Sequence, residues 1–414
     1  MYKSVSYFVG YAFVFLQLIR YILYTISKYI IIAFLLISSL RANSANRTVQ
    51  VAFYSEILSV EYPTEIILPG LLMVDDISLM DYYEKLDNTP YYSFLVLMGS
   101  YKEKYHLNDW LYYELLKTTI NTIFIREGPL KKGVTLWFLL TKSGFDTRLS
   151  YLDNSIYIYV WSKEDIFETP MIMDQDKKFI NLSGINTAKE SPSQLNLLLF
   201  RPESEGKAFS FKMEKLPQLP AQIRAKEVRF MIKQRSFRIT FNIDATLFEI
   251  MKSYPAIAEK EYFNIPMSEV TYTSLIPKLQ FMIKDKTISE ALEILVAFTR
   301  TGFEYRDDNE VFGKSKPMIA EELFHYRYSD CEDRSALFFY LVKEILHLPM
   351  LIIAYPDHLT IAVASDELKG QPFLFDGLNY YICDPTGPVG SNIIGVPPNG
   401  YENLSFDILG AYHK

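Results

Sequence analysis

Two cysteines, Cys331 and Cys383, are the only thiols in the 414-residue chain. So few exclude a disulfide framework and a cysteine-built zinc site. The five histidines are widely spaced and form no metal-ligand pattern, so neither metal nor cofactor is expected. Lysines and arginines are scattered rather than gathered in a polybasic block. With a net charge of −7 the chain lacks the basic footprint that nucleic acid requires. Disorder is excluded from the other side, because 49% hydrophobic and 15% aromatic residues are enough to fill packed cores. The length exceeds what one core usually holds, so two or three domains are expected.

The one long apolar run is N-terminal. Residues 5–40 are almost continuously apolar, broken by Arg20 and Lys28, and the second piece runs from Lys28 through a short apolar core to Arg41-Ala42-Asn43-Ser44-Ala45. Cation, apolar core and small residues in that order read as a signal peptide, which places the rest of the chain outside the cytoplasm, in the periplasm or cell envelope. The two pieces joined are long enough to cross a bilayer, so an uncleaved anchor is the alternative, and the membrane is a partner only through this segment.

Further along, a helix is expected over 107–126, capped by Asn108 or Asp109, with Trp110, Tyr113, Leu116 and Ile120 at helical spacing. A second follows over 134–142, then alternating segments at 147–152, 156–160 and 178–182. A similar order returns later. Thr287-Ile288-Ser289-Glu290 is a capping box opening a helix to Gly302, and a further helix starts at Cys331. Leu337-Phe338-Phe339-Tyr340-Leu341-Val342-Lys343 aligns with Leu136-Trp137-Phe138-Leu139-Leu140-Thr141-Lys142. Two readings stand: an internal duplication whose first half lacks the chemistry, or two α/β units sharing a hydrophobic pattern. Between them lie a Pro-rich polar stretch and a hairpin, in which Val228, Phe230, Ile232, Phe237, Ile239, Phe241 and Ile243 alternate about a turn at Gln234-Arg235-Ser236. The expected division is 1–45 as signal or anchor, 46–185 as an α+β domain, 186–270 as linker and β module, and 271–414 as the domain carrying the chemistry.

That chemistry rests on three segments. Asp330-Cys331-Glu332-Asp333 opens a helix, His358 follows the Pro356-Asp357 turn and opens a strand, and Asp384 precedes Pro385 after another strand. Cys, His and Asp in these settings can form nucleophile, base and orienter. The helix dipole favours a thiolate at Cys331 by only ~0.3–1 kcal/mol, and three neighbouring acids oppose it, so an imidazole within reach is the larger lever. Asp384 is preferred over Asp357 as orienter, because adjacent strand residues point to opposite faces. Taken singly, each has a plainer role: Cys331 as a small filler, His358 at a solvent-facing edge, Asp384 as a turn initiator. The acids Asp307, Asp308 and Glu310 lack metal-loop spacing and read as a solvated turn. Cys383 reads as structural packing.

The segment 287–395 resembles the transglutaminase-like superfamily, a branch of the papain-like thiol fold, closest to its exported bacterial members. The residues that carry the resemblance are Asp330-Cys331-Glu332-Asp333-Arg334-Ser335-Ala336-Leu337, Leu346-His347-Leu348-Pro349, His358 and Cys383-Asp384-Pro385-Thr386, with Phe303-Glu304-Tyr305-Arg306-Asp307-Asp308 upstream. The resemblance implies an α+β fold in which the Cys-bearing helix packs on an antiparallel sheet. It also implies Cys331 as nucleophile, His358 as base and Asp384 as orienter. Tyr326 and Tyr328 are candidates for the oxyanion or pocket. The expected activity is acyl transfer through a Cys thioester on a peptide or protein carboxamide, hydrolytic rather than amine-transferring. The alternative is an inactive binding or assembly module at the cell envelope.

Overall fold

The computed structural model describes residues 46–71, 73–183, 196–202, 205–387 and 394–413. The N-terminal apolar segment and most of the Pro-rich stretch lie outside them. No helix among the described residues is long and apolar enough to cross a membrane.

The chain is α+β and is laid out twice in the same order. The first pass opens with an antiparallel hairpin, β1 (Asn46–Phe53) and β2 (Glu56–Pro63). Helices α1 (Asp76–Asp87), α2 (Tyr91–Lys104), α3 (Asp109–Ile123) and α4 (Pro129–Lys142) follow. The strands β3 (Thr147–Leu152), β4 (Ser155–Trp161), β5 (Met171–Asp174), β6 (Lys177–Asn181) and β7 (Asn196–Leu197) then form a sheet of order β5-β6-β4-β3-β7. The second pass begins with the hairpin β8 (Ile223–Ile232) and β9 (Arg235–Asp244), then α5 (Ala245–Met251), α6 (Glu259–Tyr262), α7 (Glu269–Ile283) and α8 (Ile288–Gly302). The short β10 (Glu304–Tyr305), α9 (Asp308–Phe312) and β11 (Tyr328–Ser329) lead to α10 (Cys331–Ile345). The sheet β14-β15-β13-β12-β16 closes the chain, built from β12 (Met350–Tyr355), β13 (His358–Ala364), β14 (Phe373–Phe375), β15 (Leu378–Ile382) and β16 (Asp407–Tyr412).

The two sheets share one strand order, and in each the strand that follows the central helix pairs with both the next strand and the last. The hairpins correspond as well. β1 packs on α3 and β2 on α2, as β8 packs on α8 and β9 on α7. The 223–244 hairpin therefore packs as the opening element of the second pass, against α7 and α8. Its buried stripe, Val228, Phe230, Ile239, Phe241 and Ile243, needs α7 and α8 to cover it. Its turn is Lys233-Gln234, one residue earlier than expected, because Ile232 pairs with Arg235.

Local chemistry explains the elements that frame the site. Asn108 caps α3, its side-chain oxygen accepting from the Leu111 N–H at 3.0 Å. Pro129 is the first residue of α4, where its missing N–H costs nothing. The helices at 76–104 were hidden because α2 buries only Phe94 and Met98, and a continuous apolar run does not distinguish helix from strand. α4 and α10, the two helices that align in sequence, are each buried on every side along most of their length, as central helices must be.

The second sheet is covered on both faces. Ile352, Leu359, Ile361 and Val363 join the main core. Leu351, Ile353, Tyr355, Ala362, Tyr380 and Ile382 form a separate cluster on the other face, closed by Phe373, Tyr401 and Phe406.

Candidate active site

Cys331 is the first residue of α10. Asp330 caps the helix, accepting from the Glu332 N–H at 3.0 Å and the Asp333 N–H at 3.3 Å, while Asp333 accepts from the Asp330 N–H at 3.2 Å. This reciprocal box fixes the turn on which the thiol sits. The first turn is also pinned to β13. The Ser335 hydroxyl donates to the Leu359 carbonyl at 3.0 Å, and the Leu359 N–H faces the Cys331 sulfur. The thiol thus lies against the strand residue that follows His358.

His358 opens β13 opposite Tyr355, across the two-residue turn Pro356-Asp357. Its Nε2 is 3.2 Å from Asp384 Oδ1. The same oxygen accepts from the Thr360 hydroxyl at 3.2 Å and the Thr386 N–H at 3.1 Å, and Asp384 Oδ2 accepts from the Gly387 N–H at 2.8 Å. Arg300 donates to the Asp384 carbonyl at 2.6 Å, and its guanidinium is 3.7 Å from the carboxylate. Burial opposes ionisation of Asp384, but His358, the Thr386 amide and Arg300 together outweigh it and hold the carboxyl below its ordinary range. Asp384 is therefore a charged, fixed partner that engages Nε2 and leaves Nδ1 as the ring nitrogen available to a nucleophile. Asp357, the rival orienter, is exposed and accepts instead from the Tyr401 hydroxyl at 3.0 Å.

The surroundings of the thiol favour its neutral form. Burial first, then the Asp330 charge, push Cys331 up to about 12, and the Leu359 N–H only partly offsets them. Among the described residues no hydrogen bond joins Cys331 Sγ to the His358 ring. Cys383 is fully buried, its Sγ 3.5 Å from the Tyr381 carbonyl, and both cysteines are free thiols.

A cavity of ≈ 690 Å³ opens beside His358. Its walls include Arg300, Arg334, Tyr305, Thr386 and Tyr401. The Tyr401 ring centroid is 5.1 Å from that of His358. Tyr326 and Tyr328, the expected pocket residues, are not on these walls. Tyr326 lines a separate cavity with Phe248, Phe312 and Lys316, and Tyr328 lies under the Arg306 guanidinium at 4.1 Å from its ring centroid. The aromatic residues at the cavity are Phe303 at the end of α8, Tyr305 on β10 and Tyr401, too far apart in sequence for local pattern to place together.

A buried acid cluster adjoins the helix start that carries Cys331. Asp308, Asp330 and Asp333 are buried with carboxylate oxygens within 4.8 Å of one another. Asp308, expected in a solvated turn, is buried and accepts from the Lys316 N–H at 2.5 Å. Burial and Asp330 raise both Asp308 and Glu332 to about 7.

In the first copy, pairing register puts Ser155 where His358 stands and Ser183 where Asp384 stands, and the helix there begins with Pro129. None of these residues can serve as thiol, imidazole or carboxylate.

Comparison with family models, with curated proteins and with solved structures finds no match for this chain.

Proposed function

We propose that the second copy is a thiol acyl-transfer site of the transglutaminase-like kind, in which Cys331 attacks a peptide or carboxamide carbonyl. The observation that carries this reading is the His358–Asp384 pair beside the helix-borne thiol and an open cavity. Asp384 fixes the ring through Nε2 and stabilises an imidazolium. His358 takes the thiol proton as the Cys331 sulfur bonds to the carbonyl carbon, then returns it to the departing amine, leaving a thioester. Water resolves the thioester in a hydrolase. Hydrolysis is favoured over amine transfer, because nothing among the described residues of the cavity walls excludes water. The N-terminal signal pattern supports action on extracytoplasmic peptides or proteins.

One observation favours a second reading. A thiol pushed to about 12, with acids on its own helix turn, suits an inert scaffold as well as an enzyme whose proton moves only on attack.

Iodoacetamide alkylation, followed by peptide mapping across pH, separates the two. In the enzyme reading, Cys331 alkylates at pH 7 faster than a model peptide thiol. That advantage disappears in His358→Ala and weakens in Asp384→Asn. A wild-type rate no greater than the model thiol's, unchanged by His358→Ala, sinks the acyl-transfer reading and leaves the scaffold.

A further inference from the structure

Arg334 is only 3% exposed, yet among the described residues no carboxylate lies within 4.0 Å of its guanidinium. Its hydrogen bonds go to neutral oxygens, from Nε to the Ser329 hydroxyl at 3.0 Å and from Nη2 to the Phe303 carbonyl at 2.7 Å. The Tyr305 ring centroid is 5.2 Å from its Cζ. Burial and then the neighbouring Arg300 charge lower Arg334 to about 10, and Tyr305, Asp333 and Asp384 only partly offset them. Both line the cavity that His358 lines. Arg300 has Asp384 as a counter-charge, but Asp384 is already committed to His358, Thr360 and two backbone amides. The other acid on the wall, Asp357, is exposed and held by the Tyr401 hydroxyl. The wall therefore carries more buried positive charge than it has carboxylate to match. Burying an unmatched cation is costly unless a partner arrives, and a guanidinium is shaped to take a carboxylate through two parallel N–H donors.

We propose that Arg334, with Arg300 beside it, is a carboxylate-recognition site in the substrate cavity, so that the group presented to Cys331 carries an acidic function close to its reacting carbonyl. This deepens the acyl-transfer reading and rests on it. The carboxylate is either an acidic side chain or a chain terminus. An anionic group held at Arg334 would be oriented in the cavity by a charge and a fork rather than by apolar contact, which sets selectivity against neutral or basic donors.

The test is the ratio of alkylation rates at Cys331 with iodoacetate and with iodoacetamide, measured on the whole protein and on a free cysteine peptide. In both reactions sulfur displaces iodide and the thiol proton leaves to base, so the ratio isolates the reagent's carboxylate. The expected ratio at Cys331 exceeds the peptide's by roughly tenfold, the size of one charge-assisted hydrogen bond. The excess is lost in Arg334→Gln, shrinks in high salt and is partly kept in Arg334→Lys. The wild-type ratio needs no variant, so a misfolded Arg334→Gln does not obscure the result. A wild-type ratio at or below the peptide's overturns the carboxylate site, even where iodoacetamide reactivity stays His358-dependent and the acyl-transfer reading survives.

If instead Cys331 shows no His358-dependent reactivity, that reading falls, and the carboxylate site is judged on Cys331→Ser protein by melting. Succinate, but not chloride of equal ionic strength, then raises the melting temperature, and Arg334→Gln removes the rise. No rise overturns the site. Protection of Cys331 by N-acetyl-glutamate amide supports a side-chain carboxylate, and protection by N-acetyl-alanine supports a terminal one. Protection by neither overturns the proposal.

Discussion

Single residues around the thiol pull stability in opposite directions with pH. Asp384 has its carboxyl held below the ordinary range, so its contribution is present above the unfolded value and is lost as pH falls through the folded one. Asp308 and Glu332 do the reverse. Their folded values, about 7, stand above the ordinary 3.8 and 4.5. Between those limits the native chain holds protons that the unfolded chain has released, so their effect is a loss of stability as pH rises from about 4 to about 7. The melting temperature is therefore expected to be higher near pH 5.5 than near pH 8, by an amount on the order of a few degrees. Asp308→Asn keeps an acceptor for the Lys316 N–H but has no proton to lose, and should flatten that slope. A melting temperature that climbs through this window, or an asparagine variant with the wild-type slope, would contradict the proton-sharing account.

Helix α10 joins two roles in one residue, since Asp330 both caps the helix and raises the thiol. The roles separate by substitution. Asp330→Asn preserves a good cap and removes the charge, so Cys331 should alkylate faster at pH 8 with little change in unfolding midpoint. Asp330→Ala also removes the charge but loses the cap, at a cost of ~1 kcal/mol. Equal destabilisation by both, with no change in rate, would show that the Asp330 charge does not govern the thiol. Features of this range were legible in the sequence because they are local. The capping box at Thr287–Glu290, Cys331 at a helix start and His358 at a strand start each depend on a few consecutive residues. The preference for Asp384 over Asp357 was also legible, because adjacent strand residues point to opposite faces, and His358 Nε2 meets Asp384 Oδ1. The arginines, Tyr305 and Tyr401 were not, because they meet only through tertiary packing, and a charge that ends up buried looks in sequence like any exposed one.

Across the whole molecule, the repeated helix sequence was the visible sign of a layout that extends further than the sequence showed. The alignment caught α4 and α10 because both are buried all round and share composition. It missed the hairpins, since β1–β2 and β8–β9 differ in length and side chains and correspond only in what they cover. This bears on where a folding unit begins. A chain starting at residue 271 discards β8 and β9, uncovers α7 and α8, and also loses α5, α6 and the Ser268 cap of α7. The hairpin's buried side chains, Val228, Phe230, Ile239, Phe241 and Ile243, contribute ~1.5–3 kcal/mol each. Together they amount to roughly 10 kcal/mol, which is comparable to the entire stability of an ordinary domain at ~5–15 kcal/mol. A protein truncated to begin at 271 should therefore show no cooperative thermal transition. One beginning at 221 keeps the hairpin and should melt more cooperatively, with Cys331 alkylation closer to that of the full chain. Equal cooperativity in the two truncated proteins would mean that the hairpin is a separate module after all. Failure of both would mean that the continuous core shared with the first copy, rather than the hairpin alone, holds the second copy together.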